Sequence, residues 1–175
     1  SEYRTAVKTI QSGAIGQVKE VFSWSNKTWG YDGPKPKPSA APEFLDWDLW
    51  LGTAPERPFA QGHYHPGNWR KWLDFGCGTM GDMGIHILDP VFSALKIGTP
   101  TTAISSSPKP PEDSHGMKNR VTYTFPKTEF TTNDFKLTWS DGGLFPDTDL
   151  GIKLPGQGSL FIGEKGQMLL PHIAQ

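Results

Sequence analysis

The stretch Phe75–Leu95, FGCGTMGDMGIHILDPVFSAL, determines how the rest of the chain is interpreted. It has a glycine-rich start and then apolar residues at three- and four-residue spacing, the pattern of a helix with one buried face. These apolar positions are Met80, Met83, Gly84, Ile87, Leu88, Val91, Phe92 and Leu95. The pattern predicts one major helix, which should kink or bulge at Pro90 because proline has no N–H to donate to the His86 carbonyl.

The opposite side of this helix carries a polar stripe of Asp82, His86, Asp89 and Ser93. Asp82 and His86 are four residues apart, so their side chains can touch and the carboxylate can hold the imidazole. The glycines at the start of the stretch would let a ligand approach the backbone. The arrangement indicates a functional site, and the alternative is a buried imidazole bonded to Asp82 for structural reasons.

Gly76, Gly78 and Gly81 spell G-x-G-x-x-G, the fingerprint of dinucleotide-binding loops. That fingerprint requires a strand before it and an acidic residue about 20 positions after it. Here the polar, aromatic segment NWRKWLD at 68–74 precedes it, and no Asp or Glu lies between Asp89 and Glu112. We therefore do not interpret this loop as a dinucleotide-binding site.

Length and composition restrict the class of protein. The 175 residues suffice for one domain with its own core, and a net charge of −1 gives no reason to expect a nucleic-acid or membrane partner. The single cysteine, Cys77, excludes an intramolecular disulfide, and no apolar run reaches the roughly 20 residues of a membrane span. We expect a piece of a longer protein, in which an export signal could lie upstream.

The first half of the chain predicts short regular elements between long loops. The predicted elements are a helix at Ser1–Gly13, a strand at 17–24 extending at most to Trp29, and a short helix at 44–51 capped by Asp46 or Asp48 and ended by Gly52. The Pro- and Lys-rich segment 30–42 predicts a wrapping loop, with an inter-domain linker as the alternative, and 53–67 is also predicted irregular.

The second half is rich in Thr, Val, Phe and Tyr and predicts a run of strands separated by Pro, Gly and Asp turns. The predicted strands are 100–106, 119–125, 130–139, 159–162 and 167–170, with a hairpin turn at 163–166 and a long loop at 141–158. Short spacings favour antiparallel neighbours. The order of elements predicts an α+β domain with one sheet and helices on one face.

Polar residues at 63–70 are further candidates for ligand contacts. His63 and His65 could ligate a metal, but a site needs a third protein ligand and none stands at an interpretable spacing, so no metal is predicted. A metal hydrolase that adds His86 to this pair is an alternative. Loop histidines such as His65 are expected to face substrate or solvent. Arg70 suits a hydroxyl or carboxylate group, or else is a surface cation packed on a neighbouring Trp.

Three segments carry a resemblance to a known family. GAIGQV at 13–18, WDLWLG at 47–52, and NWR at 68–70 followed by GTMGDMGIHILD at 78–89 resemble the C-terminal domain of the glucose–fructose oxidoreductase/inositol dehydrogenase (Gfo/Idh/MocA) family. The similarity is strongest over 1–98 and is closest to a bacterial subgroup with long Trp- and Pro-rich loops. It implies an open-faced, mainly antiparallel sheet like the C-terminal domains of dihydrodipicolinate reductase and glyceraldehyde-phosphate dehydrogenase.

The resemblance also implies an activity. Relatives use NAD or NADP to oxidise or reduce a hydroxyl or keto group of a sugar, cyclitol or glycoside, with a Rossmann domain upstream. Asp82 and His86 match the family's active-site motif, in which His86 would be the acid/base and Asp82 would orient it. Expected substrate contacts are Trp69, Arg70, Gly78 and His65. Cys77 stands where many relatives have a small residue, so the detailed substrate contacts of relatives at this loop carry over less directly to this chain.

Residues 1–175 would then form the substrate-binding and oligomerisation domain, inactive alone because the cofactor site and a catalytic Lys lie upstream. Expected partners are a sugar or cyclitol and further copies of the chain through the sheet. Two alternatives stay open: a non-catalytic carbohydrate-binding or scaffold domain, and a glycosidase or epimerase that uses a transient redox step. The compartment, bacterial cytoplasm or periplasm, is equally open.

Overall fold

A computed structural model describes residues 2–147 and 153–172. The helices are α1 (Glu2–Gln11), α2 (Trp47–Leu51) and α3 (Gly78–Leu95), with a 3₁₀ turn at Asn68–Lys71. The strands are β1 (Val18–Ser25), β2 (Thr102–Ser105), β3 (Arg120–Thr124), β4 (Thr131–Ser140), β5 (Gln157–Gly163) and β6 (Gln167–Pro171). The helices and strands predicted from the sequence are all present, and the predicted cap Ser1 lies outside the described residues.

The six strands form one sheet in the order β2-β3-β4-β1-β5-β6. Four neighbouring pairs are antiparallel and only β1 and β4 run parallel, so the sheet is mainly antiparallel, as predicted. The sequence did not indicate where β1 would lie. The structure places it inside the sheet, between the two groups of C-terminal strands.

Helices α1 and α3 pack together and cover one face of the sheet, as predicted for an α+β domain. Their shared core includes Ile10, Val18, Val21, Val91, Leu95, Phe135, Leu137 and Phe161. Each fully buried side chain of this size contributes about 1.5–3 kcal/mol relative to exposure. Helix α3 continues through the buried Pro90 to Leu95 without interruption, so the predicted distortion does not break it. None of the described helices combines the length and apolarity that crossing a bilayer demands.

The long loops between β1 and α3 build a second, aromatic core. Tyr64 and Trp72 are buried there, and Tyr31, Trp47, Trp50 and Phe75 pack around them. Backbone bonds attach the 30–42 segment to the domain, since Ser39 N donates to Phe59 O at 2.8 Å and Tyr31 N donates to His115 O at 3.1 Å. The segment is therefore a wrapping loop, and the linker alternative is wrong.

Gly78 and Gly84, both in α3, give a matched test of how closely this helix packs against its surroundings. Gly78 has φ +64°, and a Cβ there would lie 2.7 Å from the His115 ring, whereas a Cβ on Gly84 meets only side chains at 3.7 Å or more. We expect Gly78→Ala to lower the free energy of unfolding by about 1–3 kcal/mol. Gly84→Ala should raise it by about 0.5–1 kcal/mol, since Ala favours a helix interior. Urea unfolding measures both, and equal effects would contradict this account.

A second prediction concerns the buried Asp141. Its carboxylate accepts hydrogen bonds from Trp139 Nε1 at 2.9 Å and from Asn119 N and Nδ2 at 3.0 and 2.8 Å. Burial raises the pKa of this carboxyl, although these hydrogen bonds act in the opposite direction. A raised folded-state pKa gives stability that is present below the unfolded value, about 3.9, and is lost as pH rises through the folded pKa.

In Asp141→Asn this titration is absent. The wild-type free energy of unfolding should therefore fall relative to that of the variant as pH rises above about 4. Urea unfolding between acidic and neutral pH tests the sign. Asp134→Asn, at an exposed position of β4, the strand that Asp141 follows, is the control. A wild-type advantage that grows with pH would contradict the assigned direction.

Candidate functional site

The candidate site lies at the start of α3, where three chain segments meet. The 3₁₀ turn at Asn68–Lys71 leads into a tight loop in which Gly76 N donates to Trp72 O at 2.8 Å. The loop is fastened to a distant segment, since His115 N donates to Lys71 O at 2.8 Å and His115 Nε2 lies 3.0 Å from Gly76 O. No sequence pattern had indicated His115, which fastens the loop between Lys71 and Gly76 through its backbone N and its ring.

The glycines of this loop allow close packing of the protein on itself. A Cβ on Gly76 would lie 2.6 Å from Arg70 Cα, and one on Gly81 would lie 2.5 Å from Cys77 Cβ. Gly78 is buried and the His115 ring fills the space beside it. Protein atoms therefore occupy the space beside these glycines, and the substrate contact predicted at Gly78 stays a prediction. Exclusion of the dinucleotide fingerprint agrees with the structure, since the 3₁₀ turn and not a strand precedes the loop.

Asp82 has partners that differ from the one predicted. Its Oδ2 accepts a hydrogen bond from Trp29 Nε1 at 2.7 Å, and its Oδ1 accepts one from Arg70 Nε at 3.2 Å. The hydrogen bonds of Asp82 within the described residues go to Trp29 and Arg70 and none goes to His86, so the predicted contact between Asp82 and His86 is not formed. Asp82 thus positions an arginine and an indole rather than the imidazole one turn later.

Trp29 is a site residue that the sequence analysis did not single out. Its backbone N donates to Thr79 Oγ1 at 2.6 Å, in addition to the indole bond to Asp82. The loop after β1 is therefore attached twice to the first turn of α3. The one available sign was a Trp in a polar loop, and its partners are some 50 residues away.

Arg70 is held between aromatic rings, as one of the alternatives predicted. Its guanidinium carbon lies 4.4 Å from the centroid of Trp69 and 5.3 Å from that of Trp29. The Arg70 side chain is 30% exposed. Its ion pair with Asp82 therefore adds little to the free energy of unfolding and mainly fixes the orientation of the guanidinium. Its contacts within the described residues, to Asp82 and to Gly67 O at 3.4 Å, use two of the five N–H donors of a guanidinium.

His86 is exposed on α3, which excludes the alternative of a buried structural imidazole. Its ring centroid lies 5.8 Å from that of His172, just beyond β6, and the rings are inclined by 40°. His172 Nδ1 lies 2.8 Å from Tyr3 Oη. Burial lowers the pKa of His172, and the nearby His86 and Lys27 act in the same direction.

The histidines of the loop before α3 have separate environments. The His63 ring packs edge-on against Tyr31 with 5.3 Å between centroids, inside the aromatic core, while His65 is half-buried before Pro66. Within residues 2–147 and 153–172, no group of three or more His, Cys, Asp or Glu side chains could hold a metal ion. The metal hydrolase that combined His63, His65 and His86 therefore has no support from the geometry.

Comparison with known proteins agrees with this architecture. Residues 5–130 match the model of the Gfo/Idh/MocA "Oxidoreductase family, C-terminal alpha/beta domain", and this range contains Trp29, Arg70, Asp82 and His86. No curated protein matches the chain. The match covers well over half of the residues, and the chain therefore belongs to the Gfo/Idh/MocA oxidoreductase family, as its C-terminal α/β domain.

Proposed function

We propose that this chain is the substrate-binding and acid/base domain of an NAD(P)-dependent oxidoreductase that acts on a hydroxyl or keto group of a sugar, cyclitol or glycoside. The observation that carries the proposal is the first half of α3. There an exposed imidazole, His86, lies one helical turn from Asp82, which fixes the guanidinium of Arg70. A proton acceptor thus lies one helical turn from the carboxylate that holds a cationic hydrogen-bond donor.

The described residues of this chain do not fit the pyrophosphate of a dinucleotide. The glycine-rich loop is filled by Arg70, Cys77 and His115, so its backbone leaves no cradle for a phosphate. NAD or NADP would therefore be held by a dinucleotide-binding domain outside this chain. When bound there, the nicotinamide ring supplies the acceptor or donor of hydride.

His86 would handle the proton of the reacting hydroxyl. Oxidation of an alcohol requires removal of the O–H proton, and imidazole is the side chain whose ordinary pKa suits that role near neutral pH. Exposure of His86 on α3 lets a substrate reach it from solvent. Asp82 would contribute indirectly, because the carboxylate is occupied with keeping Arg70 and Trp29 in place.

Arg70 and its aromatic neighbours would form the wall that orients the substrate. A guanidinium offers a planar set of donors that suits hydroxyl or carboxylate oxygens, and the faces of Trp29 and Trp69 suit the C–H face of a sugar ring. His65, half-buried in the same loop as Arg70, stays a proposed contact. This wall argues for a small polyol or sugar and leaves its identity to experiment.

The face of the sheet opposite α1 and α3 is our proposed self-association surface. One row of facing residues crosses all six strands there: Ile104, Thr122, Thr138, Phe22, Leu160 and Leu169. Ile104 is 67% exposed at one end of this row, whereas Thr138 and Leu160 inside the row are already buried, so the proposal depends mainly on the Ile104 end. Light scattering of the wild type and of Ile104→Glu tests the proposal, and a monomeric wild type would contradict it.

The proposed role of His86 predicts a kinetic result in the full-length parent. His86→Ala should lower kcat by about 10²–10⁴-fold, since general acid–base catalysis contributes that much, while nicotinamide binding is unchanged. Arg70→Lys should mainly raise KM for the sugar, because lysine keeps the charge but loses the fork and the ring stacking. Cofactor reduction followed by absorbance with a panel of sugars and cyclitols measures both.

Ser93→Ala is the control, because Ser93 is an exposed residue on the same stripe two turns further along α3. An unchanged kcat in His86→Ala would overturn the acid/base assignment. Sugar binding by the wild-type parent without bound nicotinamide or turnover would favour the non-catalytic carbohydrate-binding domain. Release of a glycosidic leaving group without net cofactor reduction would favour the transient redox alternative.

A further inference from the structure

The His172 ring places a second imidazole beside His86, away from the cluster of Trp29, Arg70 and Asp82. We propose that His172, held by Tyr3, is the proton partner of His86, so that Tyr3, His172 and His86 form a relay between α1, the end of β6 and α3. The proposal rests on the proposed function, because it takes His86 as the acid/base. Both added residues lie outside the range 5–130 that matches the family.

The hydrogen bonds of Tyr3 determine which ring nitrogen of His172 is available. Tyr3 Oη donates to the carbonyl oxygen of His172 and also lies 2.8 Å from Nδ1 of the same residue. A phenol has one hydrogen and the carbonyl can only accept, so we assign the hydrogen of the second bond to Nδ1. In the neutral ring, Nε2 is then unprotonated and can accept a proton.

The surroundings of His172 favour this neutral form. Charged or titratable groups face it from three elements: Tyr3 on α1, His86 on α3 and Lys27 in the loop after β1, with Asp89 acting on Tyr3. Burial, His86 and Lys27 all lower the pKa of His172. A pKa below the usual histidine value favours the neutral ring at neutral pH, in which one ring nitrogen is an acceptor.

The distance to His86 suits transfer between the two rings. The ring centroids are 5.8 Å apart, a separation that one water bridging two ring nitrogens can span. His86 can turn because it is exposed, whereas Tyr3 fixes His172. This asymmetry matches the roles of a donor that meets the substrate and an acceptor that stays in place.

Oxidation of a carbinol would release one proton and one hydride. The substrate O–H bond would break and its proton would form an N–H bond on His86, while the C=O bond forms and the carbinol C–H electron pair leaves as hydride for the oxidised nicotinamide that another domain would supply. The His86 N–H bond then breaks and the proton is bound at His172 Nε2. His172 releases it to solvent, which restores both neutral imidazoles. Reduction of a ketone runs through the same proton steps in reverse.

The alternative is a purely structural role, in which Tyr3 and His172 only attach the end of the sheet to α1. The first test, which needs no cofactor, is long-range ¹H–¹⁵N NMR of the histidine rings in this chain. At pH 7 the wild type should show neutral His172 with hydrogen on Nδ1, and Tyr3→Phe should lose that tautomer preference. Tyr123→Phe is the control, since its hydroxyl meets Met80 Sδ and not an imidazole. Hydrogen on Nε2 in the wild type would overturn the proposal.

The second test uses the full-length parent. His172→Ala should lower kcat at least about tenfold with little change in KM, and added imidazole should restore part of the rate, because a free base can replace a proton partner. A merely structural role would show no rescue. Wild-type kcat in His172→Ala, or a loss that imidazole does not reverse, would overturn the relay. Full activity of His86→Ala would instead remove the proposed function, while the tautomer measurement still decides the Tyr3–His172 pairing.

Discussion

The carboxylate of Asp82, held between an indole N–H and a guanidinium, is the interaction on which the candidate site depends. One side chain ties together the loop after β1, the 3₁₀ turn and the first turn of α3. The loop after β1 and the short 3₁₀ turn are not held by a sheet or a long helix of their own, so their positions depend on such side-chain bonds. Hydrogen bonds to a charged acceptor are about twice as strong as neutral ones, which suits them to this task.

That arrangement also explains why local reasoning gave Asp82 the wrong partner. The four-residue spacing of a helix does place His86 within reach, and the helix itself was predicted correctly. Arg70 offers a positive charge and Trp29 an indole donor, and both approach from outside the helix. Such competitors come from other parts of the chain, and helical periodicity contains no information about them.

In the rest of the molecule, too, features set by neighbouring residues were predicted, and features set by residues distant in sequence were not. Alternation, turn residues and capping predicted the strands and helices because these depend on neighbours along the chain. The central place of β1, the wall formed by His115 and the pairing of His172 with Tyr3 depend on residues far apart in sequence. The glycine-rich loop shows the value of context. Its residue types match a dinucleotide-binding motif, but the residues before it do not, and in the structure neighbouring protein atoms pack against the glycines.

The interior position of β1 has a consequence for how the chain folds. Val18 pairs with Thr131 on one side and with Gly163 on the other, so the strand made early in the chain finds both partners only near its end. Until then β2-β3-β4 and β5-β6 are separate ribbons with unpaired edges, the kind of surface that invites aggregation. Contacts this distant in sequence slow folding, because the loop must close before they form. During synthesis, β1 therefore has no partner strand until β4 and β5 have been made, and it is a segment that a chaperone would need to cover.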